Sequence, residues 1–193
     1  MYIEQSRSMA EISKELGCSV NKIAWWLHKY KINVRTRSEA NYIKHNPKGD
    51  PFVISKIDTL EKALLYGEGI GLYWGEGTKS DRHNVRLGNS DIELIKRFLL
   101  FLKIIYSIDE SKLRFALQLF NDIDPNEAEK YWSEGLNYPL KQFYKSRVTI
   151  LNTKGTYRKK SKYGVITLYY PNVKLRNLLV DALPANGVKY ITE

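Results

Sequence analysis

Apolar residues near the start of the chain recur at helical spacing in two short segments separated by Gly17. Ser8 and Glu11 have the spacing of a capping box at the start of the first segment. Ile23 and Leu27 form an apolar stripe on the second segment. Two short helices joined by a glycine-containing turn are typical of a helix-turn-helix, and the pattern therefore predicts a small all-α unit of this kind.

The second predicted helix presents polar and aromatic residues on its outward side, which would lie in a DNA major groove. Arg35 and Arg37 follow on a short segment that we expect to be extended and suited to phosphates or a minor groove. The alternative is a helical hairpin that packs on the next domain, with both arginines in a solvated linker. The candidate DNA-contacting residues of this region are Ser19, Asn21, Lys22, Trp25, Lys29, Arg35 and Arg37.

A polar segment with prolines and a glycine then extends to Pro51, which indicates a linker. We therefore expect a helix-turn-helix domain over residues 1–45, a linker over 46–57 and a larger domain over 58–193. In the larger domain the patterns predict helices alternating with strands near residues 84–89, 112–120, 145–153 and 163–170, the last two forming a strand pair. This order is typical of an α+β fold with an antiparallel sheet.

The first helix of the larger domain, which should end at Gly77, is unusually rich in glycine. Gly67, Gly71 and Gly75 are spaced by four and lie along one stripe, although each glycine costs a helix roughly 1 kcal/mol relative to alanine. A stripe without side chains lets another helix approach closely. A second copy of the same helix is the simplest partner, which predicts a two-fold homodimer. The alternative is that the stripe packs on the sheet or a helix of its own domain.

Glu76 lies in the last turn of this helix, where the helix dipole disfavours an acid. A divalent cation would reverse that effect, and a dimer crossing near Gly75 would bring two Glu76 carboxylates together. Such an oxygen-only site suits Mg²⁺, and metal-holding acids beside a phosphate are what phosphodiester hydrolysis requires. Lys79 follows closely and is a candidate electrostatic stabiliser of the transition state.

The charge balance favours a polyanionic partner, because 31 Lys and Arg residues against 21 Asp and Glu give a net charge of +10. A basic but otherwise ordinary enzyme is the alternative. The single cysteine and the three scattered histidines exclude disulfide frameworks and recognisable zinc sites within one chain. The basic DNA-contact candidates of the larger domain are Arg82, Arg86, Lys145, Arg147, Lys154, Arg158, Lys159, Lys160 and Lys162.

The chain has no apolar run as long as a membrane span, and its N-terminus lacks the pattern of a signal peptide. We therefore expect no membrane association and an intracellular protein, in the cytoplasm or nucleoid.

The segment "GIGLYWGEG", residues 69–77, resembles the nine-residue LAGLIDADG motif of homing endonucleases. The resemblance covers residues 60–183 and places Gly71 and Leu72 at the third and fourth motif positions and Glu76 at the metal-binding acid. It implies motif helices that cross at a dimer axis, with their acids binding Mg²⁺ above the cleaved DNA. Because the chain has one motif, the resemblance implies a homodimer. The expected interface residues are Gly67, Gly71, Leu72 and Gly75.

These patterns together predict a site-specific double-stranded DNA-binding protein, specifically a homodimeric Mg²⁺-dependent LAGLIDADG-type endonuclease. Its candidate catalytic residues are Glu76 and Lys79. A DNA-binding regulator that does not cleave remains open, because relatives of this family pair a similar core with a helix-turn-helix. An RNA-binding or RNA-processing protein is a third possibility, given the tyrosine content and the basic loop.

Overall fold

The chain divides into two compact units, residues 1–51 and 52–193, and the computed structural model describes residues 1–150 and 161–184. The division falls inside the expected linker. Phe52 is nevertheless buried in the core of the larger unit, and the Val53 N–H donates to the Tyr106 carbonyl at 2.9 Å. Residues 52–57, which the sequence assigned to the linker, therefore begin the larger unit.

The smaller unit contains three helices: α1 Met9–Glu15, α2 Val20–Lys29 and α3 Arg37–His45. The predicted capping box is confirmed, because the Ser8 N–H donates to the Glu11 carboxylate at 2.7 Å and the Glu11 N–H donates to the Ser8 hydroxyl at 3.2 Å. Ile12, Ile23 and Leu27 are buried and form the core between α1 and α2. The predicted pair of helices with a glycine turn is therefore present.

Helix α3 corrects the prediction that the chain around Arg37 is extended. Thr36 caps it, accepting from the Glu39 N–H at 3.2 Å, while Glu39 accepts from the Thr36 N–H at 2.7 Å. Arg37 is the first residue of this helix. No residue of α3 is buried and the helix is polar on average, so few apolar positions reveal it in the sequence.

The larger unit contains helices and strands in an α+β order among its described residues. They are α4 Leu60–Glu76, β1 Val85–Asn89, α5 Ile92–Tyr106, β2 Arg114–Phe120, α6 Pro125–Leu136, β3 Arg147–Thr149, β4 Val165–Tyr170 and α7 Val173–Asp181. Two short 3₁₀ helices occur at Glu110–Lys112 and Leu140–Gln142. No helix in the described part of the chain has both the length and the apolarity needed to span a bilayer.

The four strands form a mixed sheet in the order β1-β4-β2-β3, which corrects the prediction of an antiparallel sheet. β4 is antiparallel to β1 and β2, but β3 is parallel to β2 and does not pair with β4. The physical reason is α6, because a helix between β2 and β3 returns the chain so that the second strand starts at the same end as the first. The predicted strand pair β3–β4 is therefore separated by β2.

One face of the sheet is covered over β1, β4 and β2 and forms the core with the helices. The side chains of Leu87, Phe115 and Leu168, on three different strands, have no exposed surface, and neither has Phe98 of α5. Residues between these positions on the strands are half-buried or exposed, so among the described residues the other face is the more accessible one.

Candidate functional site

Helix α4 turns one face into the core and the other to solvent. Leu65, Ile70 and Tyr73 are buried, as is Gly69. A Cβ atom on Gly69 would lie 2.1 Å from Cγ of Phe101, so the close packing of α4 on α5 requires glycine at this position. Packing within the unit therefore accounts for one of the helix's glycines.

Three other glycines of α4 have no such explanation among the described residues. Gly67, Gly71 and Gly75 are exposed, and apart from adjacent residues and nearby backbone of α4 itself, no described atom lies within 4 Å of a Cβ built on any of them. Their backbone is helical, so alanine would be compatible and intrinsically more stable. Leu72, by contrast, is half-buried and packs on the unit's own core, and its assignment to a dimer interface stays a prediction.

Apolar side chains surround these glycines on the same side of α4. Leu60 is 72% exposed and Leu64 58% exposed, and Trp74 flanks them at 52%. At 100° per residue, all of these lie opposite the buried side of the helix. We call Leu60, Leu64, Gly67, Gly71 and Gly75 the glycine face of α4.

Glu76 ends α4 and is exposed, and the chain continues into the α4–β1 loop, residues 77–84. Lys79 Nζ donates to the Trp74 carbonyl at 2.6 Å, which places a cation at the negative end of the helix dipole. The described residues include no group of three or more His, Cys, Asp or Glu that could hold a metal ion. The Glu76 carboxylate is an oxygen ligand of the kind that Mg²⁺ prefers, but it is a single carboxylate in one copy of the chain.

Asp81 orders the same loop. Its carboxylate accepts from the His83 N–H at 2.9 Å and from the Asn84 N–H at 3.0 Å. Burial opposes ionisation of Asp81, but these donors outweigh it and hold its pKa below the ordinary 3.8. The loop after Glu76 therefore has a defined backbone path in the free chain.

On the more accessible face of the sheet, side chains that are in register on neighbouring strands form rows across the sheet. Arg86, Tyr169 and Arg114 are aligned in register, and the Arg86 guanidinium lies 5.1 Å from the centroid of the Tyr169 ring. A further row aligns Gln118 with Arg147. The residues on this face, which we call the open sheet face, are Arg86, Gly88, Arg114, Ala116, Gln118, Arg147, Val165, Thr167 and Tyr169.

Sequence reasoning named Arg86 and Arg147 of this face but missed Arg114, Gln118, Thr167 and Tyr169. The signal that identifies them is the period-two alternation of β2 and β4, in which the large apolar residues of the core are separated by polar or smaller residues. That alternation indicates a sheet with one solvated face, and the residues on it are the ones to examine for binding.

In the smaller unit, the outward face of α2 consists of Asn21, Lys22, Trp25 and Lys29, all of which are exposed. Ser19 is the N-cap, and its hydroxyl accepts from the Lys22 N–H at 3.3 Å. The structure therefore places the candidates predicted from this helix on one solvent-facing surface.

Arg35 has a different environment from the one expected. Its guanidinium donates to the carbonyl oxygens of Ser6 and Arg7, each at 2.8 Å, and also to the carbonyl of Tyr2. The guanidinium carbon lies 4.0 Å from the Tyr2 ring centroid. Arg35 ties the N-terminal segment to the chain between α2 and α3, and its phosphate contact stays a prediction.

The remaining basic candidates are distributed between described and undescribed parts of the chain. Arg37, Arg82, Lys145 and Arg147 are exposed. Lys162 is exposed too, and its Nζ lies 4.9 Å from the Tyr163 ring centroid. The candidates Lys154, Arg158, Lys159 and Lys160 lie outside the described residues.

In comparisons with known proteins, no protein-family model, no curated protein and no solved structure matches this chain. The geometry of its own surfaces is therefore the basis for a functional assignment.

Proposed function

We propose that the protein is a homodimeric, double-stranded DNA-binding protein that acts as a Mg²⁺-dependent endonuclease of the LAGLIDADG type. The observation that carries the proposal is the glycine face of α4, which no described part of the chain covers. Three glycines in a helix cost roughly 3 kcal/mol relative to alanine. A contact made only in the assembly accounts for that cost.

A second copy of α4 is the partner that fits this face. Two identical faces related by a two-fold axis contact each other without requiring any other surface of the chain. Gly67, Gly71 and Gly75 allow two backbones to approach, while the exposed Leu60 and Leu64 supply apolar area to bury. A crossing near Gly75 would bring both helix ends, and hence both Glu76 side chains, close to the two-fold axis.

The open sheet face supplies the DNA-binding surface in this proposal. Arg, Gln and Thr side chains on neighbouring strands offer donors and acceptors for base edges and phosphates. Strands can enter the major groove, and two copies would extend the surface across two half-sites. The net charge of +10 favours association with the polyanion.

The paired Glu76 carboxylates and nearby backbone carbonyls would hold Mg²⁺. When bound, the ion would supply charge stabilisation for phosphodiester hydrolysis. In this assignment Glu76 would bind and orient the metal ion, and Lys79 would neutralise negative charge on the phosphate beside it. One copy lacks enough ligands, so the proposed activity depends on the dimer.

A non-cleaving DNA-binding regulator is the second candidate, and a specific contact favours it. Lys79 Nζ already donates to the Trp74 carbonyl at 2.6 Å, so a side chain supplies the positive charge at the end of α4. With that cation in place, the end of the helix is stabilised without a metal ion.

The test begins with the mass of the purified full chain, measured by sedimentation, which should be that of a dimer. A random duplex library is then incubated with Mg²⁺ and either the parent chain or Glu76→Gln, with Glu134→Gln, at an exposed position of α6, as the control. Cleavage by the parent and the control, but not by Glu76→Gln, supports the endonuclease. Tight binding without cleavage by any of them supports the regulator.

Two outcomes contradict the proposal. A monomer at all concentrations, also in the presence of DNA, removes the dimer on which both candidates depend. Preference for RNA over competing duplex DNA at physiological salt would instead support an RNA-binding function.

A further inference from the structure

The outward face of α2 has a tryptophan at its centre. Trp25 is 55% exposed and lies opposite the buried pair Ile23 and Leu27. Exposed aromatic residues at the centre of a surface are more typical of binding sites than of solvated helices. This ring is therefore a feature of the smaller unit that folding alone does not account for.

The ring is held in position by its neighbours on the same helix. Lys29 Nζ lies 4.8 Å from the Trp25 centroid and 5.0 Å from that of Trp26. The two indoles meet edge to face at 4.9 Å, and Trp26 stacks on Tyr30 at 5.6 Å. Because these contacts order the Trp25 side chain in the free chain, less conformational entropy is lost when a ligand covers it.

The charge around this ring indicates the class of ligand. The chain has no Asp or Glu between Glu15 and Glu39, a stretch that includes all of α2. An exposed aromatic ring on a helix that carries basic but no acidic residues suits a polyanion better than an ordinary protein surface. The basic residues of the stretch are Lys22, Lys29, Lys31, Arg35 and Arg37.

Duplex DNA has one apolar group on the edge of its bases, the C5 methyl of thymine in the major groove. We propose that Trp25 determines specificity by contacting thymine methyl groups, and that Asn21 contacts an adjacent adenine. Residues four apart share one side of a helix, so Asn21 and Trp25 would reach neighbouring base pairs. This inference rests on the proposed function, because it requires that the smaller unit bind duplex DNA.

Substitution of thymine by deoxyuridine tests the inference, because it removes the methyl group and changes no hydrogen-bonding group. A binding site is first selected with the full chain from a random duplex library, and each thymine is then replaced in turn. We expect the parent to lose about fourfold in affinity for each contacted methyl. Trp25→Ala should bind the thymine and deoxyuridine sites equally, since the two changes remove the same contact.

Lys22→Gln is the matched control on the same face. It should weaken binding to all duplexes and reduce the salt dependence, but keep the sensitivity to deoxyuridine. Circular dichroism of each variant establishes that α2 is folded, which is expected because both substituted side chains are exposed.

Several results would overturn the inference. If the parent binds thymine and deoxyuridine sites equally, the inference is wrong, but duplex binding and the proposed function stand. The same conclusion follows if Trp25→Ala loses as much affinity on deoxyuridine substitution as the parent does. Preference for single strands would assign Trp25 to base stacking instead. Failure to bind any duplex removes both this inference and the proposed function.

Discussion

Arg176 of α7 donates through Nε to the backbone carbonyl of Asp81 at 2.9 Å, a contact between residues 95 positions apart. The same guanidinium also donates to the Lys79 carbonyl. The last helix thus fixes the loop that follows Glu76, and Asp81 in turn fixes the loop from inside through His83 and Asn84. The geometry beside the candidate catalytic acid therefore depends on a side chain far along the sequence.

Replacement of Arg176 should loosen this loop. We expect Arg176→Gln to lower the free energy of unfolding by about 1.5–3 kcal/mol, the range for hydrogen bonds to charged groups. Hydrogen exchange of the backbone amides over residues 78–84 should accelerate. Arg82→Gln removes an equal charge from an exposed position of the same loop and should change neither measurement. Equal behaviour of the two variants would show that Arg176 is not the fixing residue.

Gly69 and Gly71 permit a matched comparison, because the same substitution has opposite consequences at the two positions. Gly69→Ala places a methyl group 2.1 Å from Phe101 Cγ and should destabilise the fold by about 1–3 kcal/mol. Gly71→Ala meets no described atom and should stabilise the monomer by up to about 1 kcal/mol through helix propensity.

Gly71→Ala should weaken dimerisation, although it stabilises the monomer. Gly71→Ala inserts a methyl group where two backbones meet, so we expect its dimer dissociation constant to rise on the order of tenfold. Sedimentation over a concentration series measures this, and unfolding is compared at dilutions where each protein is monomeric. Unchanged dimerisation of Gly71→Ala would place the dimer contact elsewhere.

This pair also illustrates what the sequence alone can provide. Gly69 and Gly71 belong to the same motif-like segment, and the spacing by four groups Gly71 with Gly67 and Gly75. The pattern does not indicate which side of the helix faces the core, because that depends on Phe101, on the next helix. Only the tertiary contact separates the structural glycine from the exposed ones.

Local signals were read more successfully than long-range ones. The cap at Ser8 was predicted correctly, because it depends only on residues within one helical turn. The capping box of Thr36 and Glu39 was equally readable, yet α3 was missed because no residue of it is buried. The parallel pairing of β3 depends on the crossover through α6, which no local pattern encodes.

Asp81 should contribute to stability in a pH-dependent way. Its pKa in the folded state lies below the ordinary 3.8, so the folded state favours the ionised carboxylate. The resulting stabilisation is present above pH 3.8 and is lost as the pH falls through the lower folded-state value. In urea unfolding followed from neutral to acidic pH, Asp81→Asn should be less stable at neutral pH and should lose less stability on acidification. If Asp81→Asn lost as much stability on acidification as the parent does, this assignment would be contradicted.

Arg35 and Arg37 should separate structural from DNA-contact roles. We expect Arg35→Gln to destabilise the smaller unit, because it removes donors to three backbone carbonyls and the contact with Tyr2. Arg37→Gln should leave thermal unfolding unchanged and weaken binding to every duplex, with a salt slope lower by about one. If Arg35→Gln were as stable as the parent but bound DNA more weakly, that result would support the phosphate contact predicted from the sequence.

Gln118 and Arg147 are neighbours in register on the open sheet face, and they should affect DNA binding differently. A glutamine can pair with an adenine edge, so Gln118→Ala should lose about 1–3 kcal/mol of discrimination at one base pair of the selected site. Arg147→Gln should weaken binding to all duplexes and lower the salt slope by about one, as expected for a phosphate contact. Both side chains are exposed, so neither variant should unfold more readily than the parent. Titrations of the selected site and of its single-base variants at several salt concentrations distinguish these effects. If both variants bound the whole panel as the parent does, the open sheet face would not be the DNA-binding surface, and the contacts would have to come from α2 alone.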